Sequence, residues 1–332
     1  MSATVAPDHI LQELADLWVS LGKEGQSEGG TGVLRACSMT LVVLAEESDD
    51  MMALGETIAA LMPEHPARAI VVRLSGAGDR ALTERVYSQC WMPFGQRRQI
   101  CCEQIELTAS DASLEDLPSV VLPLAVPDLP LILWCRTSRI VGMAGFYRIG
   151  AMARKVVVDS AQVADPVAAL LRMAVVSQSG VLLGDLSWTT LTRWREMLSQ
   201  VFENQEYLRQ LAKIANIRVS FGEGFEVAAR YMAVWIANAL ADVGVEAALA
   251  VAPAAAGGPT LRVELAGDGL AMELVREEER LVITVNGFSH CTNLPRPNDY
   301  ALMREELAIV RRDPVFDRTL ASAAALAYPT DK

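Results

Sequence analysis

The sequence predicts an α/β protein. An N-terminal three-layer, Rossmann-like α/β domain with a mostly parallel sheet is followed by a C-terminal α+β domain with an antiparallel meander. Three observations lead there. Short Val-, Ile- and Leu-rich runs alternate with helical patterns through the first half, as in βαβ units. In the second half, residues 261–265, 271–275 and 281–285 alternate apolar and polar, the pattern of antiparallel strands with one wet face. And 332 residues, 52% hydrophobic and 21% charged, suffice for two ordinary cores.

The elements follow in order. Asp8 caps an expected first helix that carries Ile10, Leu14, Leu17, Trp18 and Leu21 on one face. A Gly-rich connector over 25–32 leaves that helix loosely docked or docked on another chain. Residues 37–45 make a strand, 48–62 a helix stopped by Pro63, and 67–74 a second buried strand. Residues 75–79 are a turn, and 85–91 with 99–108 a further strand pair. A helix over 114–124, bounded by prolines, precedes a buried strand over 131–135. A short strand at 155–159, a helix at 165–176 and a last strand at 181–183 complete the first domain.

A long helical region, 188–214, leaves that domain. It leads to a strand at 217–221, an apolar helix at 226–243 and an Ala/Gly/Pro-rich loop at 247–259. The meander and two helices, 299–311 and 314–327, end the chain. The expected division is 1–32 for the first helix and linker, 33–186 for the α/β domain and 187–332 for the α+β domain.

Charge and composition exclude several functions. With 41 acidic against 29 basic residues the net charge is −12, which repels nucleic-acid backbones and anionic membranes. No apolar run approaches the roughly 20 residues that span a bilayer. The first residues carry neither a basic n-region nor an apolar h-region, so no signal peptide is expected and the location is cytoplasmic. Three histidines, His9, His65 and His290, stand apart from any ligand-spaced Cys, Asp or Glu, so no metal is expected. The six cysteines lack metal spacing and are expected reduced; the adjacent Cys101 and Cys102 are the candidates for redox chemistry.

Gly76-Ala-Gly78-Asp-Arg-Ala81 matches the looser dinucleotide pattern G-x-G-x-x-A. A nucleotide site needs a helix to start there, whereas 85–91 alternates as a strand, so a hairpin turn is expected and no cofactor. His65 is held extended by Pro66 just before a strand that begins Ala67-Arg68, a rigid turn or a polar contact point. The densest signal is Asp185-Leu-Ser-Trp-Thr-Thr-Leu-Thr-Arg-Trp-Arg195. Asp185 and Ser187 are N-cap types, and Leu191, Trp194, Leu198, Val201 and Phe202 form one helical stripe. Trp and Arg are the residues most enriched at protein-binding hot spots, so Trp188, Arg193, Trp194 and Arg195 are candidate partner contacts, with His65 and Arg68 beside them. The same indoles would serve equally as the hinge of a domain core.

Five segments occur in an order that resembles a known family. They are Arg68-Ala-Ile-Val-Val after His65-Pro66, residues 99–107, residues 117–130, Val157-Val-Asp-Ser160, and 185–195. Together they are similar to the OpcA family, the glucose-6-phosphate dehydrogenase assembly proteins, from about residue 35 to 200. Ala67 stands where family members often carry Ser in a His-Pro-Ser-Arg motif. The resemblance implies a non-catalytic protein without cofactor that binds glucose-6-phosphate dehydrogenase and promotes its active oligomer in the oxidative pentose phosphate pathway. The alternative from the residues is an enzyme or sensor binding a sugar phosphate or nucleotide in the N-terminal domain, near His65, Arg68 and the Gly76–Gly78 turn.

Overall fold

The computed structural model describes residues 6–27, 33–79, 82–91, 99–137, 143–162 and 165–327. It resolves into two compact units, Met1–Val158 with Gly180–Gly184, and Asp159–Ser179 with Asp185–Lys332.

The first unit contains α1 (Pro7–Ser27), β1 (Val33–Arg35), β2 (Met39–Glu46), α2 (Met51–Leu61), β3 (Ala67–Leu74), β4 (Leu82–Trp91) and β5 (Gln99–Ala109). It continues with α3 (Leu117–Leu124), β6 (Leu131–Cys135), α4 (Ala144–Gly150), β7 (Lys155–Val158) and the body of β8 (Leu182–Asp185). Its eight-stranded sheet runs β1-β5-β3-β2-β6-β7-β8, with β4 on β5. The β1–β5, β5–β3, β3–β2, β2–β6 and β6–β7 pairs are parallel; β4 pairs antiparallel to β5. Val42, Val43, Ile70 and Val71 of the central strands are at most 1% exposed, so both faces are covered. That burial explains their unbroken apolar runs. Asp50 starts α2 by accepting hydrogen bonds from the amides of Met52 (3.0 Å) and Ala53 (3.1 Å).

The second unit contains α5 (Pro166–Gln178), α6 (Leu186–Thr189), α7 (Thr192–Val201), α8 (Gln205–Gln210), β9 (Ile214–Phe221), α9 (Glu226–Asp242) and β10 (Ala248–Pro253). The meander β11 (Leu261–Gly267), β12 (Leu270–Glu277), β13 (Arg280–Val285) and β14 (Phe288–Asn293) follows, then α10 (Asp299–Ala308) and α11 (Pro314–Ala327). Its sheet runs β10-β9-β11-β12-β13-β14; β10 and β9 are parallel and the other pairs antiparallel. Leu261, Val263 and Leu265 of β11 and Leu270, Met272 and Leu274 of β12 are buried, while the residues between them are less so. The period of two in the sequence is this one-sided burial.

Several expectations change. The first helix is not loosely docked: Ile10 and Leu14 are buried, and α1 packs on α3 and β4 within its unit. It also runs through Ser27, into the expected connector, whose residues 28–32 lie outside the described residues. The expected long helix over 188–214 is three short helices, because the ladder tightens where the Leu191 amide bonds to the Trp188 carbonyl (3.0 Å) and Asn204 caps a fresh start at Glu206 (2.9 Å). The Ala-rich loop contains an edge strand, β10, where Pro253 needs no ladder donor on its outer side. The Gly76–Gly78 turn joins no hairpin, since β4 pairs with β5, the strand between it and β3. A strand and not a helix follows those glycines, so no helix N-terminus stands there for a pyrophosphate. The segment 159–179 clusters with the second unit, although its sequence pattern continues the first.

Candidate functional site

The Asp185 segment is built around one buried carboxylate. Asp185 is fully buried and caps α6. Its Oδ1 accepts from the Ser187 amide (3.0 Å), the Ser160 amide (3.2 Å) and the Ser160 hydroxyl (2.9 Å); its Oδ2 accepts from the Tyr231 hydroxyl (2.8 Å). All four donors are neutral groups. Burial therefore pushes the Asp185 carboxyl above the usual carboxylate range, against the pull of those hydrogen bonds. Burial and the neighbouring carboxylate likewise push the Tyr231 phenol well up.

Trp188 stacks into an aromatic cluster beside it. Its ring centroid lies 6.0 Å from that of Tyr231 and 5.7 Å from that of Phe316, which is 5.9 Å from Tyr231. The Arg195 guanidinium lies over the indole, 3.3 Å from its centroid. Arg195 donates to the Trp188 carbonyl (3.3 Å) and the Thr192 hydroxyl (3.1 Å). Burial lowers its pKa to about 10, against the opposing pull of Asp313, Glu305, Glu196 and Glu306, so it stays charged at neutral pH.

The structure separates the four candidate partner contacts. Trp188 is 4% exposed and Trp194 2%, both inside the fold. Leu191, Trp194 and Leu198 form the buried stripe of α7 at the expected spacing. Arg195 is spent on Trp188. Of the four, Arg193 alone stands out, with its side chain 73% exposed and a 2.9 Å ion pair to Glu196. The hot-spot composition is real, but most of it is turned inward.

The candidates of the first unit follow the same course. Arg68 is buried, donating from Nε to Glu103 Oε2 and from Nη1 to the Leu124 carbonyl, each at 2.5 Å. Glu103 Oε1 accepts from Arg35 (2.7 Å) and from the Trp18 indole (2.6 Å), which ties α1 to the sheet. Arg68 is thereby engaged with Glu103 and the Leu124 carbonyl inside its unit. His65 is half-buried at the turn into β3, where its amide donates to the Leu61 carbonyl (2.8 Å). Cys101 is disulfide-bonded, contrary to the expectation of reduced thiols, and Cys90 is its register partner on β4. Cys102 is buried, its thiol pushed up to about 11 chiefly by that burial. Among the described residues no group of His, Cys, Asp and Glu is placed to hold a metal, and no helix is long and apolar enough to cross a membrane.

Three residues of the cluster are not legible as site residues in the sequence. Ser160 lies inside a motif that carries the family resemblance, without any sign of its bond to Asp185. Tyr231 shares the apolar helix α9 with Trp235, and Phe316 lies in the apolar helix α11, both indistinguishable there from packing residues.

The geometry can be set beside known proteins. Residues 58–175 match a family described as the N-terminal domain of a glucose-6-phosphate dehydrogenase subunit. Residues 182–320 match one described as the C-terminal domain of that subunit. Two relatives are named OpcA, for the OxPP cycle. That of Nostoc punctiforme is 27% identical over 179 residues, 53% of this chain and 38% of the relative. That of Synechocystis is 27% identical over 190 residues, 56% of this chain and 39% of the relative. The chain spans about two fifths of the length of the curated relatives it matches. Among solved structures, a dehydrogenase from Chromobacterium violaceum aligns with a TM-score of 0.48 at 10% identity, over 87% of this chain and 94% of that one. An aldose-aldose oxidoreductase from Caulobacter crescentus complexed with glycerol aligns with a TM-score of 0.43 at 11% identity, over 86% and 95%.

Proposed function

The chain belongs to the OpcA family of glucose-6-phosphate dehydrogenase assembly proteins, and from that premise we propose that it binds glucose-6-phosphate dehydrogenase and favours its active oligomer. It acts in the oxidative pentose phosphate pathway as a non-catalytic protein of the cytoplasm. The observation that carries this reading is the family match itself, which runs through both halves of the chain, 58–175 and 182–320, in the family's own order.

An effector of this kind works by binding the active dehydrogenase more tightly than the inactive one. Its activation cannot exceed that difference in binding free energy, and about 1.4 kcal/mol gives a tenfold shift. The enzyme's own residues carry the hydride chemistry. On this chain the docking surface includes the outward side of α7 around Arg193, since Trp188, Trp194 and Arg195 are occupied within the fold.

The test is dehydrogenase activity against glucose 6-phosphate concentration, with the enzyme of the same organism and equimolar protein. A lower apparent KM or a higher kcat, with co-elution of the two proteins, is the expected result. Unchanged kinetics without co-elution would overturn the proposal.

A further inference from the structure

The core-facing residues of β12 run Leu270, Met272, Leu274 and then Arg276. A guanidinium thus occupies the position where the alternation calls for a fourth apolar side chain. Arg276 is only 6% exposed. Its Nε donates to the Glu278 carbonyl (3.0 Å), while its Nη2 is buried with no hydrogen-bond partner among the described residues. A buried, unsatisfied guanidinium nitrogen is expensive, and native folds rarely keep one without a reason. Burial and the nearby positive charge of Arg296 both depress its pKa, with Glu279 opposing.

Arg276 lines a cleft of about 510 Å³. The volume is that of a small-metabolite site. Thr190 and the exposed Arg193 line it from the α6–α7 side, Asn293 from the end of β14 and Ala301 from the first turn of α10. That turn adds amide dipoles with their positive ends outward, capped by Asn298, which accepts from the Ala301 amide at 2.9 Å. Glu305 lines the same cleft and accepts from the Thr192 hydroxyl at 2.5 Å. A carboxylate there repels a bare anion but accepts hydrogen bonds from ligand hydroxyls.

We propose that this cleft of the second unit binds a phosphorylated polyol, its phosphoryl oxygens paired with Arg276 and its hydroxyls held by Glu305 and Asn293. Arg276 lines the cleft, and a small turn of its side chain that brings Nη2 out of burial gives that nitrogen the charge-assisted phosphoryl partner it lacks. The first unit's glycine turn and Arg68 take no part in it.

Isothermal titration of the full-length protein with glucose 6-phosphate, inorganic phosphate and glucose tests the assignment, with no dehydrogenase present. Glucose 6-phosphate is expected to bind saturably, inorganic phosphate more weakly and glucose not measurably. R276M is expected to lower the affinity for glucose 6-phosphate by about tenfold or more, about 1.4 kcal/mol or more, and R276K by less. E305Q is expected to narrow the preference for the ester over inorganic phosphate. A301W fills the cleft from an exposed helix position and so tests the site even where R276M fails to fold; it is expected to abolish binding. Absence of saturable binding by the wild-type chain, or undiminished binding by both R276M and A301W, overturns the proposal.

Discussion

Removing the Asp185 carboxylate should be among the most damaging single changes in the second unit, and its effect should depend on pH in a stated direction. D185A deletes the acceptor of four hydrogen bonds, from the amides of Ser160 and Ser187 and the hydroxyls of Ser160 and Tyr231. Those donors are buried, with Ser160 at 1% and Tyr231 at 0% exposure. Each buried donor left unsatisfied costs about 1–3 kcal/mol, and the two hydroxyls recover part of this by rotating towards other acceptors. The expected loss is about 3–5 kcal/mol, read from urea unfolding at constant m-value. D185N behaves differently. Its Oδ1 keeps the three donors of Ser160 and Ser187, and the Tyr231 hydroxyl reverses to accept from Nδ2.

The pH dependence comes from the direction of the Asp185 shift. Burial raises its folded pKa above the unfolded value near 3.9, so the native chain keeps the proton to higher pH than the unfolded chain. The stability Asp185 contributes is therefore fully present below the unfolded pKa and is lost as pH rises through the folded one. Each unit of raised pKa is worth about 1.4 kcal/mol over that window. Wild type minus D185N should accordingly decline with rising pH from the carboxylate range towards neutrality, other carboxylates cancelling in the difference. A flat difference, or a D185A loss below about 1 kcal/mol, would refute the account of a carboxylate held by hydrogen bonds against burial.

The other predictions test the remaining assignments. Trp194 is 2% exposed, so W194A should cost about 3–5 kcal/mol of unfolding free energy rather than act only on a complex. Arg193 is exposed, so R193E should leave the unfolding curve within about 0.5 kcal/mol and weaken co-elution with the dehydrogenase. Cys291 is exposed and Cys102 is buried with its thiol near 11, so iodoacetamide at neutral pH should label Cys291 long before Cys102 in the native protein, by peptide mass spectrometry. E103Q should loosen α1, seen as faster amide exchange in Pro7–Ser27, because it weakens the shared acceptor of Arg68, Arg35 and Trp18.

The strands are legible in the sequence wherever burial is two-sided or cleanly one-sided. Ala67–Leu74 and Leu131–Cys135 match their expected limits, and so does α11 after Pro314. The failures have local causes. Edge strands bury little, so Ala248–Pro253 reads as a loop and Phe288–Asn293 carries no apolar alternation. The second of these has another signal: Asn286 and Gly287 have φ of 49° and 86°, the left-handed pair that a tight hairpin demands, and Asn-Gly announces it in sequence. The break between α6 and α7 is hidden because no glycine or proline marks it, and only the i−3 bond from the Leu191 amide to the Trp188 carbonyl reveals it. At the site, residue types are visible in the sequence but their orientation is not. Trp188 and Arg195 have the composition of a pair that meets a partner's surface, and they meet each other.

That outcome bears on how the proposed docking on the dehydrogenase would work. Buried indoles and a stacked guanidinium make the second unit's Asp185 segment rigid, and a rigid segment presents its outward residues at a fixed geometry, which lowers the entropy lost on docking. Arg193 is both outward on α7 and part of the cleft lined by Arg276. An occupant of that cleft would thus lie beside the proposed docking surface, and linkage then ties the two equilibria together. If glucose 6-phosphate tightens the complex by some factor, the complex must tighten glucose 6-phosphate on this chain by the same factor. The two titrations, each done with the other partner absent and then saturating, have to return one coupling free energy. A zero coupling in both would leave the cleft and the docking surface as independent sites on one unit. Unequal values would mean that the ligand being measured sits on the dehydrogenase instead.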